Sequence, residues 1–334
     1  MARLTHALVC AVLVLVAACG GSGNQITIAT NPPGTNVYAV SAALAKLLQE
    51  ETGHRSAIQP RSGSSVYLPM LHRGDVTLGL NTNIDGYLSF RGLPPYEAPM
   101  SNLRALGMMF PLNIAFMVRA DSDLQSIEDL RGQRVVVTFR ANVALEQLYR
   151  GILATGDLTF DDITPVTVAG VPEAVDALKE GRADAVPIGL GTALGLEANT
   201  SLPEGIRYLT LGTDEAQLPQ IMPGTRAITI EPSASSIGIF GPIRVASVPD
   251  MLNTGAHLSD EDAYTIIKTI HTNWETLRAE LAQLSGVAAG DIAPADNMHP
   301  YHPGAIRYFR ETGLWTEAHE ANQQLQLELA NSNR

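Results

Sequence analysis

The stretch ITIATNPPGTNVYAVSAALAKLL, residues 26–48, decides the fold because it predicts a strand, a polar loop and a helix in succession. Residues 26–30 form a short apolar strand. Residues 37–53 then carry apolar side chains at helical spacing and end at Gly53, which suits a helix C-cap. The same alternation continues along the chain and predicts an α/β fold with parallel sheets and helices on both faces.

Two blocks of this alternation predict two lobes. We assign residues 26–116 and 226–334 to lobe 1, and residues 117–225 to lobe 2, which is inserted into lobe 1. The chain then crosses between the lobes twice, and two crossings make a hinge beside a ligand cleft. Near the first crossing, two separate apolar strands are predicted on either side of Pro111. A single large sheet is the alternative architecture.

The N-terminus predicts export and lipid anchoring. Residues 1–18 combine a basic start with an apolar run of about a dozen residues, shorter than the roughly 20 that a membrane-spanning helix needs. This pattern is typical of a signal peptide. Cys19 follows small residues as in a bacterial lipobox, so we expect lipidation of its sulfur. Residues 19–25 would then tether the protein to a membrane outside the cytoplasm. An ordinary cleavage site with an incidental cysteine is the alternative.

Composition argues against several classes of site and partner. The 334 residues include two cysteines, and Cys10 would be lost with the signal peptide, so we expect neither a disulfide framework nor a cysteine metal site. The formal net charge is −12, which is unfavourable for binding nucleic acid. An acidic chain still accommodates an anionic solute where one cleft is locally positive.

The loop between the first strand and the first helix is a candidate ligand site. Open α/β sheets bind ligands at this junction, and the free amides at a helix N-terminus favour an anion such as a carboxylate. Asn31 and Thr35 offer hydrogen-bonding groups, Gly34 shapes the loop, and Tyr38 supplies an amphipathic wall. Thr35 or its neighbour Asn36 also suits the N-cap of the helix.

Small polar residues recur at the next two strand ends. Ser64 and Ser65 follow the second predicted strand, and Asn81 and Asn83 follow the third. None of these strand ends carries a nucleophile paired with a base, so the pattern favours a binding cleft over an active site.

In the second lobe, the strand end VVVTFRAN supplies the opposing residues. Thr138 and Arg140 are the candidates there, because arginine binds a carboxylate through two parallel hydrogen bonds. A solvated surface charge is the alternative role for Arg140.

Other motifs predict no cofactor, no metal and no catalysis. The chain lacks G-x-S-x-G, H-E-x-x-H and Walker patterns. His299 and His302 are each followed by proline, which favours a turn over a metal site. Residues 189–195, GLGTALG, resemble a dinucleotide fingerprint but have one residue too many. We therefore interpret them as a tight turn between a strand and a helix.

Five segments, taken together, resemble the TAXI family, the extracytoplasmic solute receptors of one class of TRAP transporters. They are ITIATNPPGTNVYAVSAALAKLL (26–48), SGSSVYLPMLHRGDVTLGL (62–80), IEDLRGQRVVV (127–137), AVDALKEGRADAV (174–186) and YHPGAIRYFRETG (301–313). The resemblance implies a two-lobed periplasmic-binding-protein fold (type II-like) with a hinge and an interlobe cleft. It also implies capture of a small organic anion, a carboxylate or amino acid such as glutamate or 2-oxoglutarate, and its delivery to TRAP-type membrane permease subunits.

Two loops depart from the family pattern. The first loop reads NPPGTNVYA where family members have a Gly-rich GTGGTYYP-like loop, and TFRAN stands where a Gly-Ser-Gly stretch usually follows VVV. Tyr38 and Ser65 therefore carry over best, and the identity of the solute does not. Two other functions stay open: a ligand sensor coupled to a membrane kinase, and an extracytoplasmic enzyme on the same fold.

Overall fold

The computed structural model describes residues 25–233 and 236–332. The predicted signal peptide and Cys19 lie outside these residues. The described residues form a mixed sheet of ten strands with helices packed against it. The strands are β1 (Gln25–Thr30), β2 (Arg55–Pro60), β3 (Leu78–Thr82), β4 (Leu103–Arg119), β5 (Arg134–Phe139), β6 (Thr164–Val168), β7 (Ala185–Gly189), β8 (Ile206–Tyr208), β9 (Arg226–Ile230) and β10 (Ile243–Gly255).

The helices largely follow the strands one by one, as the sequence pattern predicts. They are α1 (Asn36–Thr52), α2 (Ser64–Arg73), α3 (Asn83–Arg91), α4 (Leu145–Ala154), α5 (Val171–Lys179), α6 (Ala193–Ser201), α7 (Gln217–Ile221), α8 (Asp260–Thr272), α9 (Trp274–Glu280), α10 (Pro303–Glu311) and α11 (Glu317–Ser332). Within the described ranges, no helix combines the length and apolar character needed to cross a bilayer.

The strand order places two groups of strands on either side of a central pair. The order is β2-β1-β3-β10-β4-β7-β5-β6, with β8 also paired to β4 and β9 to β10. We call β1, β2 and β3 with their loops the first half of the sheet, and β5, β6 and β7 with their loops the second half. Parallel pairing within each half brings the carboxyl ends of its strands to one edge. Ligands of α/β proteins bind at this edge.

The long strands β4 and β10 join the two halves. They pair antiparallel along most of their length, and each continues from one half of the sheet to the other. The predicted break at Pro111 is wrong, because β4 is continuous through this residue. Pro111 lies directly opposite Pro249 of β10. Neither strand offers an N–H group to the other at this position, and the pairing continues on both sides of it.

Helix α1 shows how the local sequence shapes the edge. The Thr35 side chain accepts a hydrogen bond from the amide of Tyr38, 3.2 Å away, and so caps the helix, while Gly53 ends it with a left-handed backbone at φ 70°. Val40, Leu44 and other apolar residues of one face are buried in the core. Full burial of such a side chain stabilises the fold by about 1.5–3 kcal/mol, which fixes the preceding loop at the sheet edge.

Candidate ligand-binding cleft

A cavity of about 790 Å³ lies where loops of the two halves face each other. Its wall comes from the loop before α1, the middle of β4, the loop before α6 and residues 282–287. Representative lining residues are Gly34, Tyr38, Phe110, Leu190, Tyr208 and Gln283. No Lys, Arg, Asp, Glu or His side chain is among the described residues that line it, so its wall is neutral and largely apolar.

The loop before α1 and Asn36, the first residue of α1, contact the second half directly. The side-chain amide of Asn36 donates a hydrogen bond of 3.0 Å to the carbonyl oxygen of Leu190 and accepts one of 3.0 Å from Gln283. Gly34 has φ 88°, and a Cβ atom there would lie 2.8 Å from the side chain of Leu194. Three of the four predicted loop residues, Gly34, Thr35 and Tyr38, line the cavity.

A second contact joins the start of α2 to the loop between β5 and α4. The amide of Ser65 donates to the carbonyl oxygen of Ala141 over 3.1 Å, and the Ser65 hydroxyl accepts from the amide of Val143 over 3.0 Å. The Asn142 side chain donates to the Ser64 hydroxyl over 3.2 Å. The two predicted serines therefore lie at the boundary between the halves, where the sheet edges meet.

Asp85, in the first turn of α3, is a buried carboxylate that the sequence analysis did not select. It accepts hydrogen bonds from three hydroxyl groups, those of Ser64 at 2.9 Å, Thr82 at 2.8 Å and Tyr96 at 3.1 Å. Burial raises the pKa of Asp85, and the three hydroxyl donors oppose that rise because they stabilise the charged form.

Asp250 is a second buried carboxylate, located on β10 where this strand passes between the halves. It is fully buried, and both carboxyl oxygens lack a hydrogen-bond partner in the protein. Its cross-strand neighbours are Thr82 on β3 and Phe110 on β4. Burial raises the pKa of Asp250 well above its ordinary value, and the charge of Asp85 raises it further.

Other buried polar atoms without a protein partner occur at the carboxyl ends of β1, β2 and β5 or in the loops that follow them. They include Thr30 Oγ1 at the end of β1, Asn31 Oδ1 just after it, Arg61 Nε just after β2, and Asn142 Oδ1 in the loop after β5. Buried polar atoms are nearly always hydrogen-bonded in folded proteins. A group of them at the facing strand ends is what a polar ligand site requires, and Asn31 of the predicted set belongs to this group.

Four predicted residues lie elsewhere or face away from the cavity. Asn81 accepts a hydrogen bond from Asn253 at 3.1 Å, and Asn83 accepts one from the amide of Met298 at 3.3 Å, so both are occupied within the protein. Thr138 donates to Glu146 over 3.4 Å. Arg140 is exposed and does not line the cavity; its role in a carboxylate clamp stays a prediction.

Two weaker motifs have structural roles. The His302 side chain caps α10 by accepting from the amide of Gly304 over 3.2 Å, and a ring nitrogen of His299 lies 2.7 Å from the Asn253 side-chain oxygen. Over residues 25–233 and 236–332, no group of three or more His, Cys, Asp or Glu is placed to hold a metal ion. Residues 189–195 turn from β7 into α6 with Thr192 as N-cap, and several of them line the cavity.

A mixed sheet whose halves are joined by two long strands and face each other across a cleft matches the fold of periplasmic substrate-binding proteins. The chain is similar to the alkanesulfonate-binding protein SsuA from Xanthomonas axonopodis pv. citri bound to MOPS, at 18% identity over 88% of this chain and 95% of that chain, with a TM-score of 0.50. It is similar to a periplasmic transporter of known structure at 11% identity over 91% of this chain and 96% of that chain, with a TM-score of 0.55. These likenesses establish the fold. Residues 28–313 match the model of the NMT1-like family, and the chain belongs to that family.

Proposed function

We propose that this protein is the extracytoplasmic solute-binding receptor of a TRAP-type secondary transporter, as its resemblance to the TAXI family implies. It captures a small organic solute that carries a carboxylate and delivers it to membrane permease subunits. The observation that carries this proposal is the cleft, where loops of both halves contact each other beside buried polar atoms that have no protein partner.

Closure of the two halves is the proposed mechanism of capture. The direct contacts across the cleft include the hydrogen bonds that Asn36 and Ser65 make with the second half. Each such bond contributes about 0.5–1.5 kcal/mol net. The contribution of these few bonds to the free-energy difference between the open and closed forms is therefore small. A solute that contacts both halves shifts this balance by its extra affinity for the closed form.

Arg61 is our proposed partner for the carboxylate. It lies just after β2, where its amide donates to the carbonyl oxygen of Thr30 over 2.8 Å, so its backbone is fixed at the strand ends. One guanidinium nitrogen donates to Gln59 over 2.9 Å, while the buried Nε has no protein partner. A guanidinium offers donors in a planar fork that matches a carboxylate. Arg140 is the alternative, contributed by the second half.

The proposed anchor and partners follow from the N-terminal sequence and the family resemblance. Lipidation of Cys19 would hold the receptor at a membrane surface, close to the permease that receives the solute. Coupling to a membrane kinase is the rival partnership, and both use the same solute-binding step.

A thermal-shift screen of the protein that begins at Gly20 tests the proposal, with carboxylates and amino acids as the library. A solute present at about 100 times its Kd, and bound by the folded state alone, adds about 2.7 kcal/mol of stability, which raises Tm by several degrees. We expect a carboxylate or amino-acid hit, and calorimetry with the purified solute should show binding without turnover. A library in which only neutral or cationic compounds bind would contradict the carboxylate, and conversion of the bound solute would favour an enzyme.

A further inference from the structure

We infer that the solute carries an uncharged hydrocarbon tail, and that the cavity of about 790 Å³ beside α1 and α6 is the subsite that holds this tail. The inference rests on the proposed function and specifies its solute further. A carboxylate with an apolar tail differs from glutamate and 2-oxoglutarate, which carry a carboxylate at each end.

The absence of charge in the wall is the first argument. None of the described residues that line the cavity is Lys, Arg, Asp, Glu or His. Moving an ionised carboxylate from water into such a space is unfavourable unless a cation or several hydrogen-bond donors receive it. The volume falls in the range of about 300–1,000 Å³ that is typical of sites for drug-sized ligands. The cavity is therefore large enough for a hydrocarbon tail and unsuited to a second carboxylate.

The polar side chains of the wall are the second argument, because several of them are already bonded within the protein. Asn36 donates to a backbone carbonyl oxygen and accepts from Gln283. The hydroxyl groups of Thr35 and Thr192 cap α1 and α6. Asn113 Oδ1 is buried without a protein partner, and a water molecule can bond to it. These bonds leave mainly hydrocarbon for a ligand to contact.

The apolar side chains of the wall are the third argument. They come from several elements at once and include Phe110 on β4, Leu196 on α6, Ile206 on β8 and Ile230 on β9. Leu196 and Ile237 expose 48% and 37% of their surface, although both line the cavity. A hydrocarbon tail in the cavity would cover this apolar surface, and removal of apolar surface from water favours binding.

The loop between β1 and α1 links the cavity to the polar strand ends. Asn31, whose Oδ1 is buried without a partner, lies at the start of this loop, and Gly34 lines the cavity. The two residues are three positions apart, so their Cα atoms are separated by at most about 11 Å. One solute of moderate length can therefore place its carboxylate near the strand ends and its tail in the cavity.

Two sets of carboxylates test the inference on the unaltered protein by calorimetry. Butanoate and octanoate differ only in chain length, and propanoate and 3-phenylpropanoate differ only in a ring. We expect octanoate to bind at least tenfold more tightly than butanoate, with one molecule per chain, because burial of each methylene group tightens binding about fourfold. Octanedioate should bind at least tenfold more weakly than octanoate, because its second charge would enter a neutral cavity.

The contrary outcomes separate the tail from the receptor function. If 2-oxoglutarate or L-glutamate binds while neither octanoate nor 3-phenylpropanoate binds more tightly than its short partner, the inference is overturned and the receptor function stands. Equal affinities for octanoate and 1-octanol would support the apolar subsite and contradict the carboxylate of the proposed function. If none of these compounds binds, the inference is overturned, and the wider solute screen decides the receptor function separately.

Leu196→Asn combined with Ile237→Asn provides a second, independent test because it makes the exposed part of the wall polar. We expect this double variant to raise the Kd of octanoate at least about fivefold through the loss of apolar contact. Leu325→Asn combined with Leu327→Asn is the matched control, since these leucines of α11 are 49% and 38% exposed and do not line the cavity. Equal octanoate affinity in the two folded double variants would overturn the inference, and the carboxylate sets decide it if the first variant does not fold.

Discussion

The hydroxyl oxygen of Ser65 accepts a hydrogen bond of 3.0 Å from the backbone amide of Val143, 78 residues further along the chain. Ser65 belongs to the first turn of α2, and Val143 follows β5, so this bond spans the two halves of the sheet. A bond of this kind is made only while the halves touch. It therefore reports on closure and contributes little to the stability of either half alone.

Ser65→Ala should weaken solute binding with little effect on the fold. Loss of one such bond removes about 0.5–1.5 kcal/mol from the closed form, which corresponds to a roughly 2- to 10-fold higher Kd. Calorimetry with the solute found by screening measures this change. Ser201→Ala removes an exposed hydroxyl that bonds within α6 and should leave Kd unaltered. Equal effects of the two substitutions would show that the Ser65 contact has no role in binding.

Gly63→Ala should prevent full closure. Gly63 has an extended backbone with φ 172°, which alanine adopts freely, so the change causes no local strain. The added Cβ, however, would lie 2.1 Å from the carbonyl oxygen of Ala141 in the second half. We expect solute affinity to fall at least tenfold while Tm without solute changes little.

Small-angle scattering with saturating solute should also give a larger radius of gyration for Gly63→Ala than for the unaltered protein. Gly290→Ala is the control, because no atom lies within 4 Å of a Cβ placed at Gly290. A Gly63→Ala protein with unchanged affinity and an unchanged radius of gyration would show that binding does not require the start of α2 to meet the loop between β5 and α4.

A comparison of Arg61→Gln with Arg140→Gln should identify the cation that holds the carboxylate. Arg61 is half-buried with an unpartnered Nε, whereas Arg140 is exposed. Loss of a desolvated charge partner typically costs 2 kcal/mol or more, so we expect Arg61→Gln to raise Kd by at least about 30-fold and Arg140→Gln to raise it less than threefold. The reverse order would assign the clamp to Arg140, as the sequence pattern first indicated.

His299 should make the protein less stable in mild acid. Burial lowers its pKa from 6.5 to about 3, with smaller effects from Arg104 and Arg91. The unfolded chain therefore takes up this proton below about pH 6.5, while the folded protein resists it until about pH 3. Stability from this residue is present above pH 6.5 and is lost as the pH falls, by up to about 1.4 kcal/mol per pH unit.

Urea unfolding at pH 7, 6, 5 and 4 measures this effect. We expect His299→Gln to lose stability less steeply than the unaltered protein over this range, because its side chain does not titrate. His257→Gln alters an exposed histidine and should keep the original slope. Identical slopes in all three proteins would mean that His299 takes up its proton in the folded state near neutral pH.

Cys19→Ser should release the protein from the membrane. If the sulfur of Cys19 is lipidated, cells supplied with radioactive palmitate should label the original chain and fail to label the variant. Detergent-phase partitioning should follow the same pattern. Labelling that persists in Cys19→Ser would reject the lipobox, and absence of label from both chains would favour an ordinary cleavage site.

The sequence predicted the elements whose signals are local. The caps of α1, at Thr35 and Gly53, come from side chains and backbone preferences that act within one helix turn. The alternation of strands and helices likewise placed small polar groups at the strand ends. These signals need no knowledge of distant residues.

The features that the sequence did not reveal depend on the pairing of strands that are far apart in the sequence. Pro111 indicated a break, since proline usually ends a strand, yet Pro249 opposite it lets β4 continue. Asp250 follows Pro249, and such a pair is typical of an exposed turn. Its burial comes from β3 and β4, which are brought beside β10 only by the complete sheet.

The two strands that join the halves also limit how the molecule can deform. Because β4 and β10 are hydrogen-bonded to each other at the crossing, they behave as a two-stranded ribbon. Sliding one strand past the other would break the ladder, whereas bending or twisting the ribbon keeps it intact. The halves therefore move relative to each other by changes of angle, through bending or twisting of this ribbon, and the distance along the β4–β10 ladder stays fixed while they do so.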